Sequence, residues 1–162
     1  FFGHSMGALV AFELARKMRR ERLPAPAYLF VSAHRAPQLP NPDPTKHLLP
    51  DDELVAHLRD LEGTPPEVLA HPELLDMVLP TLRADLTLLN TYEYIEGPPL
   101  PTPILALGGI ADKIVGRPQL AAWGEMTAEA FAVQQFPGGH FYLHKVHPML
   151  MQVLRRTLAT IG

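Results

Sequence analysis

The apolar positions of the chain follow two kinds of pattern. Residues 27–33 (Ala-Tyr-Leu-Phe-Val-Ser-Ala) form a run of strand length with almost no alternation. Ile104-Leu105-Ala106-Leu107, ahead of Gly108-Gly109, is a second such run, and Ala130 to Phe136, ahead of Pro137-Gly138-Gly139, is a third. Continuous apolar runs of this length predict strands covered on both faces, as in a parallel sheet. Phe1-Phe2 reads as the last residues of one more. Between these runs the pattern turns helical. A helix is expected over 7–22, with Leu9, Val10, Phe12, Leu14 and Met18 as apolar positions and Pro24 and Pro26 preventing its continuation. Others are expected over 51–61 (Leu54, Val55, Leu58, Leu61) and 72–90 (Leu74, Leu75, Val78, Leu82, Leu86, Leu89). A further helix has Pro118 in its first turn and runs through Trp123. A last one covers 147–160, with Leu150, Val153, Leu154 and Leu158 on one face.

Strand, turn, helix, strand, long insertion, strand, helix, strand and helix is the order of a doubly wound α/β sheet. Residues 36–100 are too many for an ordinary connection. They are expected to form a helical subdomain inserted into a core made of 1–35 and 101–162, near the C-terminal ends of the strands where α/β sites lie. Proline supports the division: 18 of 162 residues, against roughly 5% in average usage, clustered at 37–50, 65–80 and 98–103. The chain opens on Phe1 without a Met, and a motif begins at Gly3. The expectation is therefore the C-terminal part of a longer protein, with the N-terminal strands of the sheet missing.

Composition removes several function classes. Fourteen basic and 17 acidic side chains give a net charge of −3, without the basic excess of a nucleic-acid binder. With 47% hydrophobic and 19% charged residues, the chain is of globular composition. No apolar run reaches the roughly 18 residues of a membrane span, and a cytoplasmic location is expected. Zero Cys excludes disulfides, thiolate metal sites and a Cys nucleophile.

The candidate chemistry starts at Gly3-His4-Ser5-Met6-Gly7, which fits G-x-S-x-G, the strand-to-helix turn that projects a nucleophilic serine. Three fixed positions match by chance in about 5% of chains this long, so context has to carry the reading. The flanking glycines are expected because Cβ atoms there would clash with the turn. The amide of Met6, at the start of the helix, is placed to donate to an oxyanion. A serine needs a base, and in this architecture the order is Ser, acid, His. His140 follows a strand, and Gly138-Gly139 let its loop approach the serine. His34 also follows a strand but comes before the expected acid rather than after it, and is the weaker candidate. His4 lies inside the elbow and is poorly placed to face Ser5. His47, His57, His71, His144 and His147 have no such context. Asp112, after Leu107-Gly108-Gly109-Ile110-Ala111, follows a strand between Ser5 and His140 and is the expected acid, orienting the imidazole and stabilising its protonated form.

With Ser5, Asp112 and His140 in this order, the chain resembles the type II thioesterases that accompany nonribosomal peptide and polyketide synthases. The resemblance spans the whole chain: GHSMGALVAFELAR at the elbow, LPTLRADLTLLNTYEY from Leu79 to Tyr94, then LALGGIAD, AAWGEMT and FPGGHFYL in register. It implies an α/β-hydrolase fold with a helical lid over 36–100, and hydrolysis of acyl thioesters on the phosphopantetheine arm of acyl or peptidyl carrier proteins, clearing misprimed or stalled modules. It maps the nucleophile to Ser5, the base to His140, the orienting acid to Asp112 and one oxyanion amide to Met6. No cofactor or metal is expected, since the phosphopantetheine belongs to the partner, and a monomer is expected. Arg83-Ala84-Asp85 matches a lid signature, read as structural. The family usually has a second acidic residue just before the acid position; here Ile110-Ala111 stand there, and Lys113 replaces a frequent Pro. The second oxyanion amide is expected upstream of this chain. Rival readings are a fatty-acyl carrier-protein hydrolase, a synthase-terminal release thioesterase, a plain esterase, and a non-catalytic carrier-protein binding module. The basic run from Arg16 to Arg22 is read as a solvated helix end complementing the dipole, with docking of an acidic carrier protein as its alternative.

Overall fold

A computed structural model describes residues 1–60, 63 and 65–161. Leu61, placed above on the apolar face of a helix, lies outside the described residues. In chain order the elements are β1 (Phe2–His4), α1 (Met6–Arg20), β2 (Leu29–Ser32), α2 (Asp51–Asp60), α3 (Pro66–Ala70), α4 (Pro72–Thr91), β3 (Ile104–Gly109), α5 (Arg117–Ala121), β4 (Phe131–Phe136), α6 (Tyr142–Lys145) and α7 (His147–Leu158). Short 3-10 turns cover Lys46–Leu48, Ala122–Met126 and Ala159–Ile161. Two compact units result: Phe1–Leu39 with Glu96–Gly162, and Pro40–Ile95.

The first unit is built on a parallel sheet in the order β1-β2-β3-β4. The register aligns Gly3 with Val31, Val31 with Ala106, and Ala106 with Val133. All of β2 and β3 is buried, as unalternated runs require. Side chains still alternate between the two faces. Leu105, Leu107 and Phe30 join Tyr142, Val146 and Leu150 on one side. On the other side Gly108 meets Leu120 of α5, and Phe12 of α1 meets Trp123 edge to face at 5.4 Å. Helices thus cover both faces.

Some sequence expectations shift. In α1, Leu9 and Phe12 are buried, but Val10 and Leu14 are 51% and 45% exposed. β3 runs on through Gly108-Gly109, two residues past the apolar run that ends at Leu107. Trp123 sits in a 3-10 turn rather than in α5. The basic end of α1 is tied locally: Arg16 to Glu13, Lys17 to Glu21, and Arg19 to the carbonyls of Pro98 and Pro99.

The second unit has its own core of Leu54, Val55, Leu58 and Leu79, with Leu75, Leu82 and Leu86 packed against it. Leu79 is the buried position of α4, whereas Leu74 is 41% exposed. Arg83 does not pair with Asp85. Its guanidinium donates to the carbonyls of His47 and Leu49 and forms an ion pair with Asp51. One planar fork thus fastens the start of α2 and the turn before it onto α4. Arg83→Lys keeps the charge and loses the fork. It is expected to cost about 1–2 kcal/mol, read as faster protease cleavage within 40–95; an unchanged rate would show that the fork adds nothing.

Candidate active site

β1 ends at His4 and α1 starts at Met6, so Ser5 alone makes the turn. Its φ of 52° and ψ of −121° lie where L-residues are strained. The turn is held by Ser5 N–H donating to the Ser32 carbonyl at 2.7 Å and Ala8 N–H donating to the Ser5 carbonyl at 2.9 Å. A Cβ on Gly3 would come within 2.0 Å of the Gly7 carbonyl oxygen, so Gly3 is required by sterics. Gly7 is not: a Cβ there meets nothing within 4 Å, which corrects the sequence argument for that position. A serine before a helix ordinarily caps it with its side chain. Ser5 makes no such bond, because the strained backbone turns its hydroxyl away from the helix and toward His140.

His140 and Asp112 are delivered by adjoining loops. Past the last β3–β4 pair, Ile110 N–H donates to the Phe136 carbonyl at 2.8 Å and Ala111 N–H to the Gly138 carbonyl at 2.9 Å. The two backbones thus travel together beyond the sheet. A Cβ on Gly109 would lie 2.2 Å from the Gly139 carbonyl oxygen, so their approach needs a glycine. Gly138 has φ 124°, a conformation that L side chains rarely adopt.

The outcome is a linear contact. His140 Nε2 lies 3.1 Å from Ser5 Oγ, and His140 Nδ1 lies 3.0 Å from Asp112 Oδ2. The Asp112 side chain is fully buried. Its other oxygen, Oδ1, accepts from the amides of Ile114 at 2.8 Å and Val115 at 3.2 Å. Burial works against ionising this carboxyl. The His140 hydrogen bond, the Ile114 amide, the His140 charge and the Val115 amide together outweigh burial and hold it below the usual carboxylate range.

The remaining histidines divide clearly. His34 is 6% exposed; its Nδ1–H donates to the Arg35 carbonyl at 2.7 Å, and its own carbonyl accepts from Trp123 Nε1–H at 2.8 Å. Ser5 meets His140 and not His34. His4 packs its ring against those of His140 and Phe141 at 5.4 and 5.3 Å. Its Nδ1 is 2.9 Å from Ser32 Oγ, which is 2.8 Å from the Tyr142 hydroxyl. Sequence reasoning missed this trio, and only the position of Ser32 at the end of a strand hinted at it. Among the described residues no group of three His, Asp or Glu is placed to hold a metal ion, and no helix is long and apolar enough to cross a membrane.

Burial, ahead of the charge of His140, lowers the pKa of His4 to about 4; burial also dominates at His34, lowering it to about 4. Both rings are neutral in the folded protein near pH 7. In the unfolded chain each takes a proton near 6.5. Between these values the unfolded state binds more protons, so the stability present above 6.5 is lost as pH falls toward 4. Each group accounts for on the order of 3 kcal/mol. Urea midpoints are expected to drop steeply from pH 7 to 4.5, and less steeply in His34→Asn. A flat profile would contradict the burial of both rings.

The sheet with helices on both faces and the Ser-His-Asp contact at its C-terminal ends define an α/β-hydrolase fold. A family model described as a thioesterase domain matches residues 1–160. The gramicidin S biosynthesis protein GrsT of Aneurinibacillus migulanus is 41% identical over 161 residues, covering 99% of this chain and 63% of GrsT. The thioesterase PikA5 of Streptomyces venezuelae is 39% identical, covering 100% of this chain and 58% of PikA5. The solved RedJ thioesterase from the prodiginine pathway of Streptomyces coelicolor superposes with a TM-score of 0.88 at 38% identity, covering 99% of this chain and 62% of RedJ. The chain belongs to the thioesterase family, and it spans about six tenths of the length of these relatives.

Proposed function

We propose that this chain carries the catalytic residues of a type II thioesterase, which hydrolyses acyl thioesters from the phosphopantetheine arm of carrier proteins serving a peptide or polyketide synthase. The observation that carries the reading is His140 held between Ser5 Oγ and Asp112 Oδ2. GrsT and PikA5, which carry gramicidin S biosynthesis and thioesterase in their names, support the substrate class. The helical unit Pro40–Ile95 is read as the lid, the carrier protein as the partner, and the cytoplasm as the setting.

In the reactive tautomer Nδ1–H of His140 donates to Asp112, leaving the Nε2 lone pair facing the Ser5 hydroxyl. As Ser5 Oγ attacks the thioester carbonyl, Nε2 takes the hydroxyl proton, and Asp112 stabilises the imidazolium. The oxyanion faces the amide of Met6. As the first residue of α1, Met6 has an N–H that helix geometry leaves without an intrahelical acceptor. The tetrahedral intermediate expels the pantetheine thiolate, which takes the proton from His140, and an acyl ester remains on Ser5. Water then adds to that ester, giving a proton to Nε2. Collapse returns the proton to Ser5 Oγ and frees the carboxylic acid. No step calls for a cofactor.

The test is a panel of acetyl-carrier, long-acyl-carrier and nitrophenyl substrates offered to the full-length protein. Turnover of carrier-bound thioesters well above that of nitrophenyl esters supports the reading. A preference for nitrophenyl esters points to a plain esterase, and preference for long acyl-carriers alone to a fatty-acyl hydrolase.

A further inference from the structure

Three side chains beside the Ser5–His140–Asp112 contact are used by no step above, yet they join the segments that carry it. His4 is the residue before Ser5, Ser32 is the last residue of β2, and Tyr142 stands two residues after His140. Ser32 and Tyr142 are fully buried. Ser32 Oγ sits between the other two, 2.9 Å from His4 Nδ1 and 2.8 Å from the Tyr142 hydroxyl. The Ser32 carbonyl also accepts the amide of Ser5, so this residue holds the elbow by its backbone and the His140 loop by its side chain. The ring of Tyr142 is stacked on Phe136 at 5.3 Å, which anchors it to the end of β4.

The direction of the hydrogen bonds follows from counting protons. Burial pushes the Tyr142 phenol up to about 12, so it keeps its proton, and His4 is neutral. If His4 Nδ1–H donated to Ser32, then either Ser32 would donate to Tyr142 and the phenol proton would lack an acceptor, or Ser32 would accept from Tyr142 as well and its own proton would lack one. In both cases the buried Nε2 lone pair would also lack a donor. If instead Tyr142 donates to Ser32 and Ser32 donates to His4 Nδ1, a single group is left over, the buried N–H at His4 Nε2, for which no partner is found among the described residues. This last arrangement leaves fewer groups unsatisfied. It also fixes the His4 tautomer and keeps the ring against His140 uncharged. The groups acting electrostatically on His4 are His140, Asp112 and His144, with Tyr142 packed edge-on at 6.1 Å.

We infer that Tyr142, Ser32 and His4 form a positioning network: a directed hydrogen-bond chain that clamps the elbow to the His140 loop and sets the reach from His140 Nε2 to Ser5 Oγ. The inference rests on the Ser5–His140–Asp112 reading. A base displaced by a fraction of an ångström slows chemistry without changing binding.

The experiment uses the full-length protein with an acyl-carrier thioester, together with the rate of Ser5 labelling by a fluorophosphonate. Tyr142→Phe removes one oxygen and keeps the stacked ring. It is expected to lower kcat and the labelling rate about tenfold at unchanged KM. Ser32→Ala should do at least as much, and the double variant no more than the slower single, because both break one chain. Unchanged kcat and labelling in both folded single variants overturns the network. So does a loss carried by KM, or failure of both variants to fold, which would make the trio purely structural. Ser5→Ala separates the two levels: hydrolysis retained there removes the Ser5 reading itself, whereas hydrolysis lost there with Tyr142→Phe at wild-type rate removes only the network.

Discussion

Asp112→Asn is expected to lower kcat about 10³–10⁴-fold while KM changes by less than about threefold. The cause lies in the other side of the carboxyl. Oδ1 accepts from the amides of Ile114 and Val115, and only an oxygen can take that place. The amide nitrogen of Asn is therefore forced to the position of Oδ2, opposite His140 Nδ1. It donates where the carboxylate accepted, and the imidazole must carry its proton on Nε2. An N–H then points at Ser5 Oγ in place of a lone pair, and the base is lost with the fold intact. Fluorophosphonate labelling should fall in parallel with kcat. Near wild-type turnover in a folded Asp112→Asn variant would mean that Asp112 does not set the tautomer.

Replacement of Ser5 has the largest expected effect and comes with a second, opposite one. Both Ser5→Ala and Ser5→Gly are expected to lower kcat by about 10⁶, because no acyl ester can form. The two differ in stability. At φ 52° and ψ −121°, Ser and Ala carry strain of order 1–3 kcal/mol, whereas glycine populates that region freely. Less the extra chain entropy of glycine, Ser5→Gly should be more stable than wild type by about 1 kcal/mol, and Ser5→Ala should not. Urea unfolding of the three proteins checks it. A Ser5→Gly variant less stable than Ser5→Ala would show that the turn is not strained.

Most of the sheet and the three candidate residues that meet at its end were legible because their signals are local. β2 and β3 announce themselves as unbroken apolar runs, and Ser5, Asp112 and His140 each follow a strand. What was hidden depends on neighbours. Val10 and Leu14 are apolar at helical spacing, yet which face of α1 is covered depends on the strands β1 and β2 beneath it and on Trp123, which meets Phe12 from far away in sequence. Gly108-Gly109 look like turn residues. They belong to β3 because they pair with Gln135 and Phe136 of β4, and they are glycine because Leu120 and the Gly138-Gly139 backbone press against them; no local pattern carries either. The helix α3 is only five residues long, too short to show a period. His4, Ser32 and Tyr142 come together through parallel pairing and the loop after β4, so nothing in their spacing ties them. The elbow motif treats its two glycines alike, whereas only Gly3 is sterically compelled.

Every side chain assigned a part in the chemistry lies within Phe1–Leu39 or Glu96–Gly162, while Pro40–Ile95 closes a hydrophobic centre of its own around Leu54 and Leu79. Segment 40–95 is therefore a cassette. Exchanging the stretch between positions 39 and 96 for that of a relative is expected to leave Ser5, Asp112 and His140 on their own scaffold, since all three belong to the other unit.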